Sequence, residues 1–518
     1  MVKNRGIMLK CQGHQKRSAV MNLSDLGFSL LAIGAVMAPG EKDVRPPAFA
    51  GQFYPENPVI LKLAVEKFMA DALPPKGENP LAIVVPHAGY IYSGQICADG
   101  WNQFRHENVE TIVVLGTNHT TPNLRKIALY PGSGFQTPLG TAIVDREFTA
   151  DLLALSPDCT MDDRPHAREH SIEVQIPFAQ TIFPQAKIVA AIVGEADIPQ
   201  YRRFGKALAA VLGKRGGILV ASSDLSHYPA AKDAEEIDLK TLAAIATLEP
   251  EKLRSTIESQ KVRHISNLST CACGEAPIMA AMAAAGEMGV AEGKTISYAH
   301  SGNIPIGERD RVVGYGALLM AEGYLPSVKK TSDDAGDSIS PADRKYLLSL
   351  ARETIDRFLT VKMTPLPRLT TFARSMKRGV FVTLKKRGNL RGCIGRMTPD
   401  RPLEELVGAV ALESAFEDPR FNPVTLRELP DIEVEISVLT PMQRVSGVED
   451  IVVGRDGVLL QKGGRTAVFL PQVATEQGWT RDEMLDHLSM KAGLPAGAWR
   501  DSAVFSTFQA IVFSENDV

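Results

Sequence analysis

The sequence predicts an α/β fold, a mostly parallel sheet flanked by helices, followed by a smaller α+β domain. Three observations point there. Short apolar runs at residues 81–85, 111–115, 187–193 and 217–221 alternate with amphipathic stretches at 58–72, 146–154 and 201–212. The runs are continuous rather than alternating with polar residues, which marks strands covered on both faces. A polar stretch at 326–340 has no apolar period and separates two regular halves.

Taken in order, residues 1–44 lack a regular pattern. Lys3, Arg5, Lys10, Lys16 and Arg17 are followed by an apolar stretch from 26 to 38 that ends in small residues before Pro39. This has the shape of a secretion signal or anchor with a long basic region. Asp25 and several glycines interrupt it, and Met8 or Met21 offers a later start. The regular pattern begins at residue 45. Segments 235–260 and 276–290 read as helical, and 296–299 and 312–319 as the strands that finish the sheet. After the linker, Ser340-Pro341-Ala342-Asp343 reads as a capped helix start with proline at its first position. Runs at 379–385 and 432–439 read as strands of the smaller domain. The expected boundaries are 1–44 (disordered or targeting), 45–325, a linker 326–340, and 341–518.

Composition narrows the class. Apolar residues make up 44% and charged residues 23% of 518, an ordinary globular balance for two to four cores. The net charge of −3 gives no global basic field for nucleic acid. Six cysteines in this length do not make a disulfide scaffold, so free thiols in the cytoplasm are the expectation, with the N-terminal signal or anchor as the alternative. After residue 44 no run is long and apolar enough for a transmembrane helix. There is no Walker loop, no dinucleotide glycine fingerprint and no Gly-x-Ser-x-Gly elbow.

The chemistry gathers at strand ends. The run 81–85 leads into Pro86-His87-Ala88-Gly89, and 111–115 into Gly116-Thr117-Asn118-His119. The run 217–221 leads into Ser222-Ser223-Asp224-Leu225-Ser226-His227, and 296–299 into His300. In open parallel sheets the carboxyl edge is where ligands bind. Any one histidine there is often a structural hydrogen-bond partner. Four converging strand ends argue for a metal or acid–base site. Cys273 precedes Gly274 and Pro277, a loop entering a helix, where a helix N-terminus favours a thiolate. The cluster Arg168-Glu169-His170-Ser171-Ile172-Glu173 reads either as a local helix start or as a set of groups that orients the histidines.

Residues 45–325 resemble the Memo family, whose fold is similar to the class III extradiol dioxygenases. The resemblance rests on residues 48–55, Pro86-His87-Ala88-Gly89-Tyr90, Leu115-Gly116-Thr117-Asn118-His119, Glu169-His170-Ser171-Ile172-Glu173, residues 222–227 and Cys273-Gly274-Glu275-Ala276-Pro277. It implies His87, His119 and Cys273 as metal ligands, with Asp224 and His227 as catalytic pocket residues. His170 and Glu173 lie in a family motif, and His300 lies in a family-like stretch beside the same pocket. Two histidines and a thiolate leave coordination positions open and soften the site relative to two histidines and a carboxylate. Iron(II) or copper then ranks ahead of zinc.

Residues 341–518 resemble the AMMECR-type domain, through Leu390-Arg391-Gly392-Cys393-Ile394-Gly395, residues 379–384, 415–421, 436–440 and 469–473. Ser489 stands where relatives often have cysteine. Arg391 and Cys393 flank Gly392. One reading is a reactive thiol with its pKa lowered by arginine, the other a packed strand. Arg391, Glu417, Asp418 and Arg420 form either a charged cleft or solvated ion pairs. In bacteria and archaea the two domain types resemble parts of one system, AmmeMemoRadiSam, with a radical S-adenosylmethionine Fe–S protein as partner. Three functions stand open: a metal-dependent oxidoreductase or dioxygenase-like enzyme working with that partner, a non-catalytic metal-binding scaffold, and a zinc-dependent hydrolase.

Overall fold

The computed structural model describes residues 43–325, 339–367 and 375–517. The expected signal or anchor at 1–38 and nearly all of the linker lie outside the described residues. The described residues divide into two compact units, 43–303 with 307–325 in the first and 304–306 with the residues from 339 onward in the second.

The first unit carries eleven strands among the described residues: β1 (Val44–Arg45), β2 (Gly77–Val85), β3 (Thr111–Thr117), β4 (Ile127–Leu129), β5 (Gly134–Thr137), β6 (Gly140–Ile143), β7 (Cys159–Met161), β8 (Lys187–Val193), β9 (Ile218–Ser222), β10 (Gly293–His300) and β11 (Gly314–Tyr324). Its helices are α1 (Pro58–Ala70), α2 (Tyr90–Trp101), α3 (Arg146–Leu155), α4 (His170–Glu173), α5 (Ile176–Ile182), α6 (Ile198–Arg215), α7 (Ala231–Ala246), α8 (Pro250–Lys261) and α9 (Glu275–Glu287). Eight strands form one sheet in the order β10-β11-β2-β9-β3-β8-β4-β7. The four central strands, β2, β9, β3 and β8, are parallel. The flanks differ: β10, β11 and β2 pair antiparallel, and so do β8 and β4. The parallel expectation thus holds for the centre, where the continuous apolar runs lie.

Both sheet faces are buried. Ala82, Val84, Val113, Leu115, Val189, Ala191, Leu219 and Ala221 pack with α6 and α9 in one core. Their neighbours Ile83, Val85, Ile112, Val114, Ile188 and Val220 are equally buried, and strand alternation turns them to the opposite face. Local chemistry sets the helix ends. Asn57 caps α1 by accepting from Val59 and Ile60, and Asp197 caps α6, which stops at Gly216 with φ 74°. The single helix expected over 235–260 is two. Leu248 is left-handed with φ 56° and Pro250 opens α8, so the chain breaks between them. Helix α2 has no apolar period, because ten of its twelve residues are buried all round.

The second unit is α+β, as expected, with more strands than the two read from sequence. Strands β12 (Val380–Lys386), β13 (Asn389–Arg396), β14 (Ile432–Leu439) and β19 (Ala510–Ser514) form one antiparallel sheet, ordered β13-β12-β14-β19. Strands β15 (Gln443–Arg444), β16 (Gly457–Lys462), β17 (Arg465–Phe469) and β18 (Val504–Phe508) form a second. Helices α10 (Pro341–Val361) and α11 (Leu403–Phe416) share a core with the first sheet. Helices α12 (Pro471–Gln477) and α13 (Arg481–Lys491) share one with the second. Ser340 caps α10 as expected, its Oγ accepting from Asp343 N at 3.1 Å.

Candidate metal centre

Strands β2, β9 and β3 are parallel neighbours, so their carboxyl ends lie side by side. His87 follows β2, Asp224 and His227 follow β9, and His119 follows β3. Cys273 arrives from the far side of the sequence, one residue before the α9 cap Gly274. A Cβ on Gly274 would sit 2.5 Å from Ser223 Cβ and 2.7 Å from Thr117 Oγ1, so only glycine lets Cys273 approach the β9 and β3 ends. The ligating atoms of His87, His119 and Cys273 all lie within 4.8 Å of one another. The His87 Nε2 to Cys273 Sγ distance is 3.1 Å.

Hydrogen bonds fix how these rings face. Ser222 Oγ donates to Ser171 O at 2.6 Å, which uses its only proton. It therefore accepts from His87 Nδ1 at 3.1 Å, and the His87 lone pair sits on Nε2, toward the thiol. Burial holds the His87 pKa down to about 3, with the neighbouring His119 adding to the effect, so the ring is neutral. Glu169 Oε1 takes His119 Nδ1 at 2.9 Å, and Oε2 takes His119 N at 2.8 Å. With its proton on Nδ1, His119 keeps Nε2 free as a donor atom, the pattern of metal-bound histidines backed by a carboxylate.

Glu169 is the residue that sequence reasoning named only within a cluster. It also caps α4, its side chain accepting from Ser171 N at 2.9 Å. The helix-start and orienting readings of that cluster therefore meet in one carboxylate. Burial raises its pKa, but the hydrogen bond and charge of His119 and the Ser171 amide overcome this and hold it at about 2. Its signal was position: an acid one residue before a helix, beside a histidine motif.

The remaining expected residues separate. His170 joins the group, with its ring stacked on His119 at 4.6 Å and Phe53 at 4.6 Å on another side. Burial, then the close approach of the His87 ring, lowers its pKa to about 3. Glu173 directs its hydrogen bonds away from the histidines. It is fully buried and accepts from Arg45, Ala48 N, Phe49 N and the Tyr54 hydroxyl, which ties residues 45–54 to α4 and sets Phe49 and Phe53 against His170. His300 is held locally, its N donating to Asn303 Oδ1 at 2.8 Å and its Nδ1 accepting from Gly302 N at 3.1 Å. It is outside the groups whose ligating atoms converge.

Asp224 and His227 converge with Cys273 in a second group. Asp224 Oδ1 accepts from His87 N at 2.8 Å, while His227 Nε2 is 4.0 Å from Asp224 Oδ2, beyond a hydrogen bond. Asp224 therefore supports His227 by charge, not by a shared proton. His227 Nε2 is buried without a hydrogen-bond partner, and burial lowers its pKa. The helix-favoured thiolate is also corrected: burial, then the Asp224 charge, pushes the Cys273 thiol far up. A cation among these groups would reverse that, because a coordinating thiol loses its proton. Lone pairs on His87 and His119, a thiol and an unpartnered His227 nitrogen fit a soft or borderline metal with open positions.

A family model described as Memo-like protein matches residues 45–319. The chain belongs to the Memo-like family. A second model, AMMECR1, matches residues 348–513, so the chain carries both domain types. The Memo-like part is 32% identical over 291 residues to a MEMO1 family protein of Methanopyrus kandleri, covering 54% of this chain and 99% of that protein. It is 31% identical over 281 residues to a MEMO1 family protein of Nitrosopumilus maritimus, covering 53% and 98%. An uncharacterised protein of Pyrococcus horikoshii, of known crystal structure, is 40% identical over 33% of this chain and 91% of its own, with a TM-score of 0.31.

In the AMMECR-type unit, Arg391 and Cys393 sit on β13. A Cβ on Gly392 would lie 2.2 Å from Ser414 O, so glycine admits α11 against the strand. Arg391 pairs with Glu428 at 3.2 Å, and Arg420 with Asp418 at 2.7 Å. Asp418 Oδ2 also accepts from Cys393 N at 2.8 Å. Burial raises the Cys393 thiol, the Thr383 hydroxyl and Arg420 offsetting part of this, which opposes the reactive reading. Ser489 is buried and donates to Leu485 O at 2.9 Å.

Proposed function

We propose that His87, His119 and Cys273 hold one divalent or redox-active metal, iron(II) or copper ahead of zinc. Residues 45–325 and 341–518 would act as two domains on a linker at 326–340. They would work in the cytoplasm with a radical S-adenosylmethionine Fe–S partner, in a redox or modification reaction. The observation that carries this reading is the convergence of three ligating atoms within 4.8 Å, each histidine turned by its own hydrogen bond. Bound there, the metal supplies Lewis-acid or one-electron chemistry. The chain's own residues do the rest. His170, Phe49 and Phe53 wall one side of the group and limit water. His227 Nε2, neutral and without a partner, takes a proton from a substrate seated beside Cys273, and the Asp224 charge favours the imidazolium that results.

Metal analysis of the anaerobically purified chain tests this, with wild type beside His87→Ala, His119→Ala and Cys273→Ser. Each variant should fold and lose bound metal. Full occupancy in the triple variant would reject the assignment. Zinc in place of iron or copper would favour the hydrolase.

A further inference from the structure

Beside His227 stands a cation that is seated on an aromatic ring and makes no ion pair among the described residues. Tyr228 directly follows His227, and its φ of 76° is left-handed. A bulky residue is strained there and persists only where its surroundings hold it. A short backbone ladder does so. Tyr228 N donates to Val312 O at 2.6 Å, Val312 N to Pro229 O at 2.9 Å, and Ala231 N to Arg309 O at 2.8 Å. His227 itself bridges to Thr270 and Val313.

This ladder pins residues 309–313 to the segment that carries His227. It sets the Arg311 guanidinium over the Tyr228 ring, Cζ 4.0 Å from the centroid. The Tyr228 and His227 rings meet edge to face with centroids 5.4 Å apart. Both Arg311 and Tyr228 are exposed. Among the described residues Arg311 makes no ion pair or hydrogen bond. Backbone strain, ring stacking and an unpaired charge coincide beside an imidazole whose buried Nε2 also has no hydrogen-bond partner among the described residues.

We propose that Arg311, seated on Tyr228, binds an oxyanion group of the substrate, a carboxylate or a phosphate. The adjoining part of the substrate then faces His227 and Cys273. A guanidinium offers a planar fork of donors that matches both groups, and the stacked ring pre-orders it. The proposal rests on reading the His/His/Cys group as the reaction centre.

The test is calorimetric titration of inorganic phosphate and of acetate into the full chain after chelation. Wild type is compared with Arg311→Gln, Arg311→Lys and Tyr228→Gly. Saturable binding of at least one anion is expected in wild type, with about a tenfold loss in Arg311→Gln and partial recovery in Arg311→Lys. Tyr228→Gly should also bind more weakly while its Tm holds or rises, since glycine accepts this φ. Preference for phosphate assigns a phosphorylated substrate, and preference for acetate a carboxylic acid. Absence of saturable millimolar binding, or equal affinity in wild type and Arg311→Gln, overturns the proposal. Metal uptake by the same proteins keeps the two readings apart. Normal uptake with unchanged anion affinity rejects the anion seat alone. Arg311-dependent anion binding in a chain that takes up no metal supports the seat and rejects the metal centre.

Discussion

Cys273 in the Memo-like unit and Cys393 in the AMMECR-type unit each neighbour a glycine, and each lies among charged residues. Their surroundings differ in what is left unsatisfied. Around Cys393 the charges pair with one another, with Arg391 Nη1 left over: Arg391 on Glu428, Arg420 on Asp418, and Asp418 on the Cys393 amide. Around Cys273 the partners lie outside the ring of donor atoms. Ser222 and Glu169 take the Nδ1 sides of two histidines, and the Nε2 sides face inward. Charges that pair with one another build a surface, whereas lone pairs turned toward one point suit a ligand. Both thiols are raised by burial, so pKa alone does not separate the two regions.

The largest expected difference is in metal affinity. Cys273→Ser should lower it by more than about 100-fold, the range typical of outer partners alone, while Cys393→Ser leaves it unchanged. Competition with a chromophoric chelator reads this, and equal loss in the two variants would erase the contrast. Glu169→Gln comes next. It removes the carboxylate behind His119 and should weaken metal binding by about 10–100-fold with little change in fold. Wild-type affinity in that variant would mean that His119 needs no such support.

Acid sensitivity should separate the two units in the metal-free chain. His87, His166 and His170 are held at about 3, 4 and 3, below their unfolded value of about 6.5. Their contribution is present above that value and is lost as pH falls toward 3. Asp238, raised by burial to about 7, works in the opposite sense: its contribution is present below its unfolded pKa and is lost as pH rises through 7. It therefore offsets part of the histidine effect. In the second unit Glu428 is held at about 2 by Arg391 and Lys386, so that unit should lose stability only in the window from its unfolded pKa of about 4.3 down to 2. Hydrogen exchange against pH would show the first unit loosening earlier. Simultaneous loosening would contradict the assignment.

The smallest expected difference is between thiols that bind nothing. Cys393 is half-buried and Cys97 fully buried, so a thiol reagent should label Cys393 faster, though slowly against an exposed thiol. Equal, slow labelling of both would support packing as the only role of Cys393.

The sequence made the parallel centre and the candidate ligands legible, because both follow from strand ends. The runs at 187–193 and 432–439 are the observed strands β8 and β14. Helices α2 and α11 were not legible, since a helix buried on all sides shows no period. The break at Leu248 was signalled by Pro250 and outweighed by the helical pattern around it. The role of Glu169 depends on a ring 50 residues away, and the failure of Asp224 to reach His227 depends on side-chain direction. Neither is written in local spacing.

The central claim is that the His/His/Cys group binds metal, and metal content of the anaerobically purified wild type beside Cys273→Ser tests it most directly. The account predicts about one iron or copper ion per chain in wild type and its loss in the variant. Equal metal in both proteins, or none in wild type even after reconstitution, would contradict it.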